Sequence, residues 1–214
     1  MKISKLFESK TVFSMAELES PMMPKMITFL SSLLERVAES NDETKHQQKI
    51  SIFHGLTRPN ISIQNYLERI FKYANCSSSC YIVAYVYLDR FSKSQPSLPI
   101  NSFNVHRLLI TSVMVAAKFM DDVCYNNAYY AKVGGINTTE MNYLELDFLF
   151  GLGFNLNVTP NTFQCYCVHL QREMLQMQPL KFADSSLSLA ISLKAHLCFN
   201  EDESSHQKQQ KLAV

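Results

Sequence analysis

Leu108-Leu109-Ile110-Thr111-Ser112-Val113-Met114-Val115-Ala116-Ala117-Lys118 is the stretch on which the reading of this chain turns. From Phe103 to Met120 the non-apolar positions are Asn104, His106, Arg107, Thr111, Ser112 and Lys118. Most of them fall on one narrow face of an α-helix, so this helix is expected to be buried on most sides. Lys118 lies on the strip left open. About one short helix further on, Met141, Leu144, Phe148, Leu149 and Leu152 follow the i, i+3, i+7, i+8, i+11 rule, and Glu145 takes the missing i+4 slot. Opposite charges at the rims of two core helices point to a surface that receives another helix. The plainer alternative is a pair of solvated rim residues.

Working outward, the helical period continues on both sides. Pro24 and the run Met26, Ile27, Leu30, Leu33, Leu34 and Val37 predict an amphipathic helix ending near Ser40, followed by a charged, Gln-rich connection from Asn41 to Lys49. The Arg58-Pro59-Asn60 turn opens the central region. There Ile63, Tyr66, Leu67, Ile70, Phe71 and Ala74 mark a first helix, and Tyr81 to Phe91 an apolar second helix that Pro96 and Pro99 stop. Asn101 is the expected N-cap of the central helix, with Ile100 and Val105 as its hydrophobic staple. A short helix from Asn127 to Lys132 ends in Gly134-Gly135, where positive φ is expected. Asn137 and Glu140 have the spacing of a capping box for the next helix, stapled by Ile136 and Met141, and Gly151 and Gly153 end it. Beyond Pro160, helices are expected around Thr162–Met177 and Ser185–Cys198, with a disordered tail from Asn200 to Val214 and a loosely attached start over residues 1–20. With no β-alternation and no internal repeat, the chain reads as an all-α bundle wrapped around one central helix.

Composition narrows the function classes. The 214 residues, 47% hydrophobic, suffice for one well-buried domain with flanking elements. A formal net charge of +1 gives no electrostatic footprint for nucleic acid, an anionic membrane or an acidic substrate. No apolar stretch reaches the roughly 20 residues of a membrane span. Met1 to Ser14 lacks a signal-peptide pattern, and the six cysteines form no disulfide framework. Both features favour a reducing compartment.

Against this background the motifs resemble those of a known family. Tyr87-Leu88-Asp89-Arg90-Phe91 is similar to the second-helix signature of the cyclin box. Ala116-Ala117-Lys118-Phe119 is similar to its third-helix signature, and Leu144-Glu145-Leu146 followed by Leu152-Gly153-Phe154 to its fifth. Phe119-Met120-Asp121-Asp122, Asn126-Asn127 and Tyr130 to Ile136 resemble the branch that holds the yeast phosphate-pathway cyclins and the plant P-type and U-type cyclins.

The resemblance implies a single five-helix cyclin box with flanking N- and C-terminal helices. It divides the chain into an N-terminal segment 1–57 with one amphipathic helix, a box over 58–158, C-terminal helices over 159–199 and a tail over 200–214. It also implies a regulatory subunit that binds and activates a cyclin-dependent serine/threonine kinase, in cell-cycle or nutrient (phosphate) signalling, inside the cell in nucleus or cytoplasm. On this reading Lys118 and Glu145 contact the kinase, and Asp89 is structural and bonds a first-helix arginine, for which Arg69 and Arg58 are the candidates. Asp121 and Asp122 read as a solvated rim or as part of a regulatory surface.

Some family features are missing. About 55 residues follow Pro160, too few for a second box of roughly 100 residues. Ile61-Ser62-Ile63-Gln64-Asn65 does not reproduce the substrate-docking motif of cell-cycle cyclins, and no destruction box stands out.

Catalytic readings fare worse. The five glycines, Gly55, Gly134, Gly135, Gly151 and Gly153, form no phosphate loop. Cys165 and His169 share a helix face with Cys167 between them, the one cluster that suggests a metal or an activated thiol. Buried small hydrophobes are the commoner use of such cysteines. The expectation is therefore a non-enzyme without cofactor or metal, whose partner is a kinase catalytic subunit rather than nucleic acid or membrane. A cyclin-like scaffold or transcription-related module is the alternative.

Overall fold

The computed structural model describes residues 22–43 and 50–176. The chain divides at Met174 into two units, and the description concerns the first, Met1–Met174. Residues 1–20, the expected helix around Ser185–Cys198 and the tail lie outside the described residues. Those described form seven helices and no strand: α1 (Met22–Glu43), α2 (Ile63–Tyr73), α3 (Ser79–Ser94), α4 (Val105–Met120), α5 (Asn127–Gly134), α6 (Thr138–Gly151) and α7 (Pro160–Gln176).

Helix α4 is the axis of the bundle. It packs against α2, α3, α5 and α6, and every residue from Leu108 to Ala117 is at most 3% exposed. Thr111 and Ser112 are tolerated in this interior because their hydroxyls donate back to the helix, to the carbonyls of Arg107 (2.7 Å) and Leu109 (2.9 Å). Around the axis each helix offers one apolar stripe, such as Ile63, Tyr66, Leu67 and Ile70 on α2, or Met141, Leu144 and Phe148 on α6. Helix α1 lays Met23, Met26, Ile27, Leu30 and Leu34 into the same core and packs on α2. Left in water, that face would be a large apolar patch.

Three local readings change in the structure. Helix α1 runs on through Asn41 and Asp42 to Glu43, because tertiary partners hold its end: Asn41 Nδ2 donates to the carbonyl of Ile100 (2.8 Å), and the Asp42 carboxylate accepts from the Ser102 amide (3.1 Å) and pairs with Arg58. Helix α4 proper begins at Val105, three residues later than Asn101 implies. Asn101 instead caps the turn leading into it, its Oδ1 accepting from the Phe103 amide (3.0 Å) and its carbonyl from the Val105 amide (3.0 Å). At α6 only half of the capping box forms. Asn137 Oδ1 accepts from the Glu140 amide (2.7 Å), but the Glu140 carboxylate turns away to Arg107 Nε of α4 (2.6 Å). An interhelical ion pair is the stronger use of that charge.

Two glycines matter for packing. Gly135 ends α5 at φ 73°, a conformation that side chains disfavour. At Gly151 a Cβ would stand 2.3 Å from Phe91 Cε2. Phe91 cannot yield, being buried and stacked on Phe148 at 5.0 Å with Phe53 edge-on at 5.4 Å. Gly151→Ala is therefore expected to destabilise the fold by about 1–3 kcal/mol through overpacking, seen as a melting temperature lower by several degrees; an unchanged value would mean that the ring shifts freely.

The histidines set a second expectation. His106 Nε2–H donates to the Ile61 carbonyl (2.9 Å), and its buried Nδ1 has no hydrogen-bond partner. Burial holds the pKa of both His106 and His54 below the ordinary value. The unfolded chain therefore binds more protons below about pH 6.5, so stability is full above that pH and falls as pH drops towards the folded pKa values. The melting temperature should decrease between pH 7.5 and 5.5, and His106→Gln should flatten part of that slope. A flat wild-type profile in this window would contradict the neutral assignment.

Candidate functional site

Lys118 stands in the last turn of α4, where the unpaired carbonyls of the helix end favour a cation. Its ammonium lies 2.6 Å from Glu145 Oε1 on α6 and donates to Asn127 Oδ1, at the start of α5. Asn127 is placed there by Asn126, whose side chain caps α5 by accepting from the Tyr129 amide (3.0 Å). Asn127 Nδ2 in turn donates to Glu145 Oε2 (2.7 Å) and to Asn142 Oδ1 (2.8 Å). Three helices thus converge on a closed polar triad. Its Lys118 and Glu145 side chains keep 31% and 20% of their surface in water.

An apolar rim adjoins the triad. Phe119 and Met120 finish α4 and are 49% and 40% exposed. On α6, Asn142, Leu146, Leu149 and Phe150 follow the i, i+4, i+7, i+8 pattern and share one stripe beside Glu145. Leu146 and Phe150 are exposed, as is Tyr143 seven residues before Phe150, and the Phe154 ring rests edge-on against Phe150 at 5.2 Å. Exposed aromatic and aliphatic side chains therefore lie around a fixed ion pair. The two charges are held in place by one another and by Asn127.

The remaining sequence candidates are placed elsewhere. Asp89 bonds neither candidate arginine. Its carboxylate accepts from Lys93 Nζ (2.8 Å) on the same helix and from the Tyr166 hydroxyl of α7 (2.5 Å). Arg69 reaches the Gly134 carbonyl (3.0 Å), and Arg58 pairs with Asp42. A tyrosine from a helix beyond the central bundle therefore takes the place expected for the arginine. Burial, with the carboxylate beside it, pushes the Tyr166 phenol well above its ordinary range.

Asp121 is a tie rather than a free rim residue. Its carboxylate accepts from the Ser77 amide (2.9 Å) and hydroxyl (2.6 Å), pinning the end of α4 to the α2–α3 turn, while Asp122 is exposed. On α7, Cys165 is exposed and Cys167 buried, and burial raises the Cys167 thiol to about 11. Among the described residues no group of three or more His, Cys, Asp or Glu side chains is arranged to hold a metal ion. No helix among them is long and apolar enough to cross a membrane.

Sequence reasoning missed Asn127 as a member of the site and Tyr166 as the partner of Asp89. Asn126-Asn127 carried a weak signal, since one asparagine caps a helix and the second is free to do something else. Tyr166 carried none, because its partner lies 77 positions away.

Comparison with known proteins agrees with this architecture. The family model for cyclins matches residues 16–156. Cyclin-U4-1 of Arabidopsis thaliana is 70% identical over 202 residues, covering 92% of this chain and 98% of that protein. Cyclin-P4-1 of Oryza sativa subsp. japonica is 59% identical over 163 residues, covering 73% and 77%. Cyclin-U1-1 of Arabidopsis thaliana is 45% identical over 156 residues, covering 71% and 74%. Helical architecture, motif order and these relatives agree, and the chain belongs to the cyclin family, a family of regulatory proteins.

Proposed function

We propose that this chain binds and activates a cyclin-dependent serine/threonine kinase through the face made by Lys118, Asn127 and Glu145 with Phe119, Leu146, Phe150 and Phe154. The observation that carries the reading is a pre-formed ion pair at the edge of an exposed apolar stripe, on two helices that lie within the region matching the family model. On this reading residues 58–158 are the box that meets the kinase, residues 1–57 and 159–199 flank it, and 200–214 form a tail. Asp89 has a structural role, and Asp121 and Asp122 belong to a neighbouring regulatory surface.

Activation follows from rigidity. A kinase needs the glutamate of its regulatory helix paired with its ATP-site lysine before phosphoryl transfer. A bundle packed around α4 presents an unyielding face that holds such a helix inward. The apolar stripe would cover the apolar side of the kinase helix. Lys118 and Glu145, each keeping a free edge, would bond polar groups of that helix and its neighbouring segment. The chain supplies position and leaves the chemistry to the kinase. The setting that fits is cell-cycle or nutrient (phosphate) signalling in nucleus or cytoplasm. The near-neutral formal charge gives neither nucleic acid nor membrane a part in it.

The internal pairing of Lys118 with Glu145 allows stability and binding to be separated. Lys118→Glu sets two carboxylates against each other and should cost the free chain about 1–3 kcal/mol, the range for losing a charged hydrogen bond. The swapped variant Lys118→Glu with Glu145→Lys restores the pair and should recover most of the melting temperature. Both variants reverse what the kinase meets, so both should weaken binding of a purified cyclin-dependent kinase by about 30-fold or more, given roughly 2–5 kcal/mol for a desolvated charged contact. Lys132→Glu, on an exposed part of α5, should bind nearly as wild type. A folded swapped variant with wild-type affinity would sink the docking mode. A wild-type chain that binds no such kinase would favour a scaffold role instead.

A further inference from the structure

Serine or threonine precedes proline at two places in this chain, Ser20-Pro21 and Thr159-Pro160. Ser20 lies outside the described residues. Thr159 is the last residue before α7, beyond residue 156, where the match to the family model ends. The connection that carries it, residues 155–159, is neither helix nor strand and is gripped from one side through its carbonyls. Arg90 Nη1 donates to those of Asn155 (2.9 Å) and Asn157 (3.0 Å), and the Tyr87 hydroxyl to that of Leu156 (2.8 Å). The side away from these bonds is open, with Asn157, Thr159, Pro160 and Asn161 all exposed. At the start of α7, Pro160 has no amide hydrogen, and Thr162 and Phe163 give theirs to the Thr159 hydroxyl (3.2 Å) and carbonyl (2.9 Å). The Asn161 amide is left without a hydrogen-bond partner among the described residues.

We infer that Thr159 is a phosphorylation site for a proline-directed serine/threonine kinase, and that the phosphate it receives caps α7. The hydroxyl is exposed, and the chain leading to it is non-helical, with its outer side free to enter a kinase cleft. Proline at the next position has no N–H. A kinase pocket that offers no acceptor there takes proline in preference to a residue that would bury an unpaired donor. In the transfer the Thr159 oxygen attacks the γ-phosphorus of magnesium-bound ATP, and the bond from that phosphorus to the bridging oxygen of ADP breaks. The hydroxyl proton passes to the catalytic-loop aspartate of the modifying kinase. ADP leaves, and the chain carries a phosphoryl group in place of one proton. The new oxygens arrive beside the unpaired Asn161 amide, at the positive end of the α7 dipole, where a dianion is favoured. Helix α7 in turn brings Tyr166 to Asp89 and buries Cys167 and Leu170, so a firmer start to the helix strengthens its hold on the bundle.

The test uses the full-length chain and a purified mitogen-activated-type kinase, which is proline-directed and needs no cyclin, so its outcome does not depend on the kinase-binding reading. With magnesium and ATP, peptide mapping should place a phosphate on Thr159, whether or not Ser20 takes a second. Pro160→Ala keeps the Thr159 hydroxyl and its bonds to α7 and should slow this modification by about tenfold or more, the effect of burying one unpaired amide N–H. The chain phosphorylated at Thr159 should melt about 1–4 °C higher than the unmodified chain. Circular dichroism establishes that the variant is folded, and the wild-type mapping stands whether or not it is. Absence of phosphate from Thr159 of the folded chain would overturn the inference, including when Ser20 alone is modified or when only a free peptide of residues 153–165 accepts it. A Pro160→Ala chain modified at the wild-type rate would overturn the proline direction, and a lower melting temperature after modification would overturn the capping role.

Discussion

The complete burial of α4 is the constraint from which the rest of the structure follows. A helix with one apolar stripe needs one partner, but a helix apolar on nearly every side needs partners all round. Here α2, α3, α5 and α6 supply them. The packing is tight enough to dictate residue identity at its margins. Gly151 must lack a side chain because Phe91, Phe148 and Phe53 form one interlocked aromatic group beneath it. The polar groups inside survive on local bonds, with Thr111 and Ser112 turned back onto their own helix.

The same constraint makes the candidate site. Lys118 is the first charged side chain after the buried run ends, and it emerges where α5 and α6 also converge. Its charge is neither lost to solvent nor buried outright. Glu145 and Asn127 fix it in a half-exposed position, where an ion pair keeps geometry without the full desolvation cost of an interior pair. Placing this beside Phe119, Leu146 and Phe150 gives one face both an apolar area and a fixed polar reference point. A partner helix could dock there in only a few orientations.

Much of this was legible in the sequence. The buried helix, the amphipathic period of its neighbours and the Asn137 cap are short-range properties, fixed by residues a few positions apart. Lys118 and Glu145 stood out because each breaks an apolar pattern. Readings that failed involved a choice between local and distant partners. Glu140 has the spacing of a capping box yet serves Arg107, and Asn41 and Asp42 look like a connection yet extend α1 because Ile100, Ser102 and Arg58 hold them. Asp89 was expected to meet an arginine of the first box helix and instead meets Tyr166 of α7.

The sequence by itself determined the helical class, the central position of α4, the order of the motifs and the two charges that mark the candidate face. All of these follow from periodicity along the chain and from the cost of placing charge among apolar residues. Tertiary structure alone decided that Lys118 and Glu145 are partners, that Asn127 closes the triad, and that Asp121 ties α4 to the α2–α3 turn. A side chain's hydrogen-bond partner depends on distances of a few tenths of an ångström between elements far apart in sequence, and those distances exist only once the helices have packed.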